Sequence, residues 1–170
     1  AKLFRARRCV VDPLIDEQVL LELASWYADA GDSATFSIAA QSVLSGAADT
    51  FTINGNALVD GINPHGASID SYDITVRATD THGATYDEHV VLTFGTNTTS
   101  PGDAITGATG NDIIYALGNG SAFGQHDIIH AGSGDDVVFG QDGRDDLFGE
   151  DGNDVLNGGA GGDSLTGGAG

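Results

Sequence analysis

The chain has 170 residues with 25 acidic and 6 basic side chains, a net charge of −19 and an isoelectric point near 4.1. That balance argues against nucleic acid or an anionic membrane surface as partner and makes cations the natural counterpart. The single cysteine, Cys9, cannot form an internal disulfide, so extracellular stability has to come from packing or metal, and no apolar run approaches the roughly 18 residues that span a bilayer. Charge and glycine are unevenly placed: residues 101–170 hold 12 acids against the single base Arg144, with 19 of the 26 glycines. The composition therefore changes near residue 100 and suggests a basic arm over 1–16, one domain over 17–97 and another over 98–170. A start at Ala1 and the absence of methionine read as a processed or excised piece.

Residues 1–16, AKLFRARRCVVDPLID, collect four of the six bases as Lys2, Arg5, Arg7 and Arg8, among the apolar Leu3, Phe4, Val10 and Val11. An exposed basic tail is one reading. The other is a β-capable docking arm that pairs with the sheet edge or acidic surface of a neighbouring subunit, giving a homo-oligomer or a head-to-tail fibre. Between 33 and 95, alternating apolar and polar residues predict strands over 35–40, 50–53, 72–79 and 86–94. Turn signals stand at Asn54-Gly55, Asp60-Gly61 and His82-Gly83. Ile74, Val76 and Ala78, then a glycine-containing turn, then Val90, Leu92 and Phe94 read as the final hairpin of a β-sandwich.

The segments ADAGDSATFSI (28–38), FTINGNALV (51–59) and YDITVRATDTHGATYDE (72–88) resemble cadherin-like domains of bacterial surface and secreted proteins. That resemblance covers about 17–95. It implies a sandwich with calcium ligands at Glu17 in the first strand, Asp29 in the Asp-x-Gly-Asp turn and Asp80 before the last hairpin. Solvated loop acids are the alternative reading of all three.

From residue 98 the chain repeats every nine residues. Aligned on aspartate, AGSGDDVVF (131–139), GQDGRDDLF (140–148), GEDGNDVLN (149–157) and GGAGGDSLT (158–166) run without a gap into GGAG (167–170). Upstream, GATGNDIIY (107–115) fits fully and AFGQHDIIH (122–130) fits at its Asp and aliphatic positions. TTSPGDAIT (98–106) reads as a degenerate opening turn, and ALGNGS (116–121) as an insertion. Position six is Asp103, Asp112, Asp127, Asp136, Asp145, Asp154 and Asp163; position eight is Ile105, Ile114, Ile129, Val138, Leu147, Leu156 and Leu165. Composition by itself would suit a solvated, disordered linker, but a carboxylate and an aliphatic locked two apart through seven units do not.

This register resembles the RTX nonapeptide G-G-x-G-x-D-x-U-x. The resemblance implies an all-β protein whose sandwich leads into a parallel β-roll over 98–170. The first six residues of each unit form a turn and the last three a short strand, two units making one coil. Turns of alternate units then put Asp136 over Asp154, and Asp145 over Asp127 and Asp163, about one strand spacing (~4.8 Å) apart, while position eight fills a narrow core. Stacked carboxylates repel one another unless a cation joins them. Ca²⁺ takes about six to eight oxygen ligands in flexible geometry and suits carboxylates and turn carbonyls, whereas Mg²⁺ demands a stricter octahedron.

The ligands so implied are the carboxylates Asp112, Asp127, Asp136, Asp145, Asp154 and Asp163, with Asp142 and Asp151 in the turns. The turn glycines Gly110, Gly132, Gly134, Gly140, Gly143, Gly149, Gly152, Gly159 and Gly161 join them. Gly132, Gly134, Gly149 and Gly152 are expected to supply backbone conformations that aim carbonyl oxygens at a common centre. AFGQHDIIH, short of glycine, and GGAGGDSLT, whose Ser164 and Thr166 make a poor strand, are expected to be the weakest units. GGAG is expected to lie over 149–154 and leave Leu165 uncovered.

Catalytic signatures are absent: there is no H-E-x-x-H zinc helix and no G-x-S-x-G elbow, and Gly132-Ser133-Gly134 sits inside a repeat that already explains it. His126 and His130 fall at turn and strand positions and read as surface histidines. Asn97-Thr98-Thr99 and Asn119-Gly120-Ser121 are sequons that mark exposed loops. The function that follows is an extracellular, calcium-binding structural protein in adhesion, a surface layer or a fibre, with a roll that folds on calcium. Export by a bacterial type I system is what the RTX resemblance implies. The alternative is the non-catalytic C-terminal region of a larger secreted enzyme such as a protease or lipase.

Overall fold

The computed structural model describes residues 18–22, 34–46, 50–55, 57–60, 68–96, 102–117 and 126–170, all of them strands, turns and bends without helix. The described residues divide into two compact units. The first holds those up to 42, those of 50–60 and 74–89; the second holds 43–46, 68–73 and those from 90 onward.

The strands of the N-terminal part are β1 (Gln18–Glu22), β2 (Ala34–Ser45), β3 (Phe51–Asn54), β4 (Ala57–Asp60), β5 (Asp70–Asp80) and β6 (Thr85–Phe94). In the first unit β1, β4 and β3 form one antiparallel sheet, with Gly55 at φ 63° in the β3–β4 turn as the Asn54-Gly55 signal predicts. β4 is too short to show alternation and was not among the predicted strands. β2, β5 and β6 are neighbours in a second sheet, and the β5–β6 hairpin closes on Asp80 N–H to Ala84 O (2.9 Å) and Gly83 N–H to Asp80 O (3.2 Å). Ile74, Val76 and Ala78 are buried on the face that the alternation assigns them. β2 runs five residues beyond its predicted end, its Ser45 hydroxyl donating to Ile69 O (3.4 Å), and stops at Gly46, where φ is 85°.

The second unit contains the roll. Its strands are β7 (Ala104–Thr106), β8 (Asp112–Tyr115), β9 (Ile128–Ser133), β10 (Val137–Phe139), β11 (Asp142–Gly143), β12 (Asp146–Asp151), β13 (Val155–Asn157), β14 (Ala160–Gly161) and β15 (Ser164–Ala169). Two parallel sheets alternate along the chain: β15-β12-β9-β7, and β13-β10-β8 continued by β6. Asp146 pairs with Ser164 and with Ile128, eighteen residues either way, which is the two-unit coil. Across the insertion the spacing becomes twenty-four, Val137 pairing with Ile113 and Ala104 with Ile128.

Position eight points between the sheets. Ile105, Ile114, Ile129, Val138 and Leu147 form the core with Ala116 and Ala131, and Leu156 packs half-buried against it. Leu165 is 48% exposed. Position nine points the other way and carries rings into register: Tyr115 and Phe139 stack at 5.0 Å, extended by Phe94 of β6 at 5.5 Å from Tyr115, and His130 stacks on Phe148 at 4.7 Å on the other sheet. Ser164 and Thr166, expected to weaken the last unit, lie in β15 all the same. Its parallel ladder with β12 is built from backbone groups, which side-chain polarity does not alter. GGAG lies over 149–154 as expected, Gly168 pairing with Glu150 and Gly152 N–H donating to Ala169 O (2.9 Å).

Candidate metal centre

Each nine-residue turn delivers its sixth residue to the inside, and the eighteen-residue coil stacks those aspartates in two rows. In one row Asp136 Oδ1 accepts the Asp112 amide (2.9 Å) and Asp154 Oδ1 accepts the Asp136 amide (3.1 Å). In the other, Asp127 Oδ1 accepts from Asp103 (2.6 Å), Asp145 Oδ1 from Asp127 (2.9 Å) and Asp163 Oδ1 from Asp145 (3.0 Å). The geometry therefore brings together the aspartates that the repeat puts at position six, in the predicted order.

Their second oxygens set the chemistry. Oδ2 of Asp136, Asp145 and Asp154 is buried, and no donor among the described residues reaches it. A carboxylate oxygen so placed is costly unless a cation or donor meets it. Burial, joined by the neighbouring carboxylates Asp112 and Asp154, pushes Asp136 up to about 6; burial, with Asp127 and Asp163, does the same for Asp145. Asp127 is raised as well, burial again being the largest cause.

The space beside those oxygens is left by glycine. A β-carbon on Gly140 would stand 2.7 Å from Asp145 Oδ2 and 2.8 Å from the Gly158 carbonyl oxygen. One on Gly149 would stand 2.6 Å from the Gly167 carbonyl oxygen and closer still to Asp154 Oδ2. A carboxylate oxygen and a carbonyl oxygen from the next coil thus share one small cradle in each turn. Gly132, Gly134 and Gly152 take φ of 109°, 138° and 140°, as expected. Gly149 does not adopt such a φ; its role is the space just described. Gln141 and Glu150 hold φ of 71° and 72° without being glycine.

No three His, Cys, Asp or Glu side chains gather into a metal cluster among the described residues. The donors are carboxylate oxygens supplemented by backbone oxygens, with neither sulfur nor imidazole, and such a set fits a hard cation like Ca²⁺.

Other expected residues fall elsewhere. Asp142 lies in β11 opposite Ala160, and Asp151 in β12 opposite Ser133 and Ala169, both off the rows. Asp80 Oδ1 accepts the amides of His82 and Ala84, each at 2.8 Å, and so caps the hairpin turn. Glu17, Asp29 and the arm residues Lys2, Arg5, Arg7 and Arg8 lie outside the described residues. Two features were not anticipated. A second ladder runs at position five, where Asn111 Oδ1 accepts the Asp135 amide (2.9 Å) and Asp135 Oδ1 accepts the Asn153 amide (2.8 Å); aligning alternate units would have exposed it. Asp103, in the degenerate opening turn, accepts from Thr96, a residue outside the repeat that no spacing marks.

Comparison with protein families matches the RTX calcium-binding nonapeptide repeat, in four copies, to residues 102–119, 121–156 and 148–170. No catalytic family matches. Comparison with the curated proteins and with the solved structures gives no match. The C-terminal part of the chain is a non-catalytic repeat region that carries RTX calcium-binding repeats, and its cofactor is Ca²⁺.

Proposed function

We propose that the chain is an extracellular structural module whose roll is assembled by calcium, with Asp127, Asp136, Asp145, Asp154 and Asp163 as side-chain ligands and turn carbonyls completing each site. The observation that carries this reading is the set of buried carboxylate oxygens on Asp136, Asp145 and Asp154 without donors. The ion would supply positive charge and coordination at those oxygens. The chain's own part is to stack the carboxylates through Asp-to-amide bonds, to clear room with glycine, and to bury position eight once the turns close.

Metal and folding are then one process, since a site assembled from neighbouring coils does not exist in the unfolded chain. RTX repeats are typical of secreted bacterial proteins, and no helix among the described residues is long and apolar enough to cross a membrane. We extend the reading to export by a type I system while calcium is scarce, with folding outside the cell at affinities of about 10⁻⁴–10⁻³ M, the range of extracellular modules. The N-terminal strands are assigned to a cadherin-like sandwich on the segments quoted above, and the whole to adhesion or to a surface layer or fibre.

Circular dichroism tests the reading. Strand signal is expected to rise when chelator gives way to millimolar calcium and to stay low with equal magnesium. The same strand signal in chelator as in calcium would refute it.

A further inference from the structure

We propose that the side-chain ladder at position five, formed by Asn111, Asp135 and Asn153, braces one of the two aspartate rows, so that the roll holds two classes of calcium site. The row of Asp136 and Asp154 then fills at lower calcium than the row of Asp127, Asp145 and Asp163. The proposal rests on the calcium reading above and concerns how the two rows differ.

The bracing is a matter of direction. Asp135 N–H donates to Asn111 Oδ1 (2.9 Å), and Asn153 donates to Asp135 Oδ1 from both its N–H (2.8 Å) and its Nδ2 (3.0 Å). At position six the amide of one coil donates to the carboxylate of the next, as Asp136 does to Asp154. At position five the amide of the later coil donates back to the earlier one. Neighbouring turns of this row are therefore tied in both directions at adjacent residues. The position-five bonds use no oxygen of Asp136 or Asp154, so bracing and ion binding do not compete.

The other row has no such ladder. Its position five carries Gly102, His126, Arg144 and Gly162. Glycine has no side chain, a guanidinium has donors only, and the His126 ring is turned to Asp146 Oδ2 at 3.1 Å. Between these turns the side-chain-to-amide bonds among the described residues are those at position six alone, Asp103 to Asp127, Asp127 to Asp145 and Asp145 to Asp163. GEDGND and GQDGRD therefore look alike as repeats and differ at the residue that decides whether a turn is tied once or twice.

Calcium affinity follows the charge count and the rigidity of a site, and both favour the braced row. A turn already held to its neighbour has less freedom to lose when the ion binds. Asp135 also sets a further carboxylate next to Asp136, whereas Arg144 sets a cation next to Asp145. Arg144 is exposed, so salt screens its charge and the bracing carries the larger share. Asn111, Asp135 and Asn153 act here as positioning residues and not as ligands.

A calcium titration of the full chain followed by nuclear magnetic resonance reads each row separately. The folded-state amide signals of Asp136 and Asn153 are expected to reach half intensity at about 2–10-fold lower calcium than those of His126 and Asp145, the worth of about one hydrogen bond. Equal midpoints, or the reverse order, would overturn the proposal and leave the calcium reading intact. A chain in which calcium changes none of these signals would remove both.

Variants separate the ladder from the charge. Asp135→Asn keeps an acceptor at position five and is expected to keep the order of the midpoints. Asp135→Ala breaks the ladder and is expected to bring them together, with the number of ions bound per chain unchanged by calorimetry. Fewer ions bound in Asp135→Ala would make Asp135 a ligand and sink the proposal. Arg144→Asn gives the other row an acceptor eighteen residues before Gly162, and is expected to lower the midpoint of His126 and Asp145 more than Arg144→Ala, which removes the charge alone. Equal effects of the two Arg144 substitutions would show that charge and not bracing distinguishes the rows, and would overturn the proposal.

Discussion

Asp145 and Asp146 are adjacent in sequence, yet the first is wholly buried with Oδ2 lacking a donor among the described residues, while the second faces outward to the His126 ring at 3.1 Å. Asp145 also holds its row together, accepting from Asp127 and donating to Asp163. Asp145→Ala is therefore expected to abolish most calcium-induced folding and Asp146→Ala very little of it, as read by calorimetric calcium titration; equal losses would place the ligands off position six. Backbone conformation offers an independent check. Gln141 holds φ 71° with no side-chain hydrogen bond among the described residues to offset it, whereas Glu150 at φ 72° has its carboxylate 2.7 Å from His130 Nδ1. Left-handed φ costs a residue with a β-carbon about 1–2 kcal/mol, so Gln141→Gly is expected to stabilise the calcium-bound roll by about 1 kcal/mol. Glu150→Gly relieves the same strain but loses the His130 contact, and is expected to gain less. Chemical denaturation in calcium measures both, and a destabilised Gln141→Gly would contradict the strain argument.

Strands and rows impose a gradient along the roll. Leu147 is fully buried between the sheets and Leu165 is 48% exposed, so Leu147→Ala is expected to cost about 2–5 kcal/mol, the range for a buried leucine, and Leu165→Ala much less; equal costs would mean that Leu165 is covered in solution. The rows themselves respond to acid. Asp136 and Asp145 are raised from 3.8 to about 6 by burial first and neighbouring carboxylates next, so in the metal-free chain the native state binds more protons than the unfolded one between those values. Their contribution is full below 3.8 and lost as pH climbs through about 6, worth about 1.4 kcal/mol for each pH unit and group. In chelator the roll is thus expected to recover more strand signal near pH 5 than near pH 7.5, and calcium affinity to rise across the same interval as the carboxylates ionise; a metal-free strand signal that increases with pH would reverse the sign. Much of this was legible in sequence, because Asp at six and an aliphatic at eight are chemical demands repeated by every turn and so survive as period. The insertion was legible for the same reason, surfacing as the twenty-four-residue register of Val137 with Ile113. What escaped lies where no side chain is demanded or where the partner sits outside the repeat. β15 is a backbone ladder indifferent to Ser164 and Thr166, β4 is only four residues long, and the Thr96–Asp103 bonds tie the roll to the end of β6. Alternation likewise disclosed the buried face of β5, but no pattern of period two disclosed the five further residues of β2.

Across the whole chain the net charge is −19, concentrated where residues 101–170 set 12 acids against Arg144 alone, and a cation can relieve that in two ways. Diffuse screening by salt weakens repulsion between exposed charges beyond a Debye length, about 10 Å at 0.1 M and about 3 Å at 1 M. Coordination acts at contact, on groups that salt does not reach. The decisive aspartates belong to the second case: Asp136 and Asp145 are 1% and 0% exposed, and successive members of a row are in hydrogen-bond contact, as between Asp154 Oδ1 and the Asp136 amide at 3.1 Å. Bulk sodium chloride therefore leaves their burial cost unanswered, while a hard divalent ion at the buried oxygens answers both the burial and the repulsion. In chelator, raising sodium chloride to about 1 M is expected to restore little of the roll's strand signal by circular dichroism, since screening at that strength still acts through solvent. Millimolar calcium in low salt is expected to restore it fully, and the calcium midpoint to shift only modestly when salt is then added. Recovery of the full strand signal by sodium chloride alone would show that net charge, not coordination at the aspartate rows, keeps the metal-free roll unfolded.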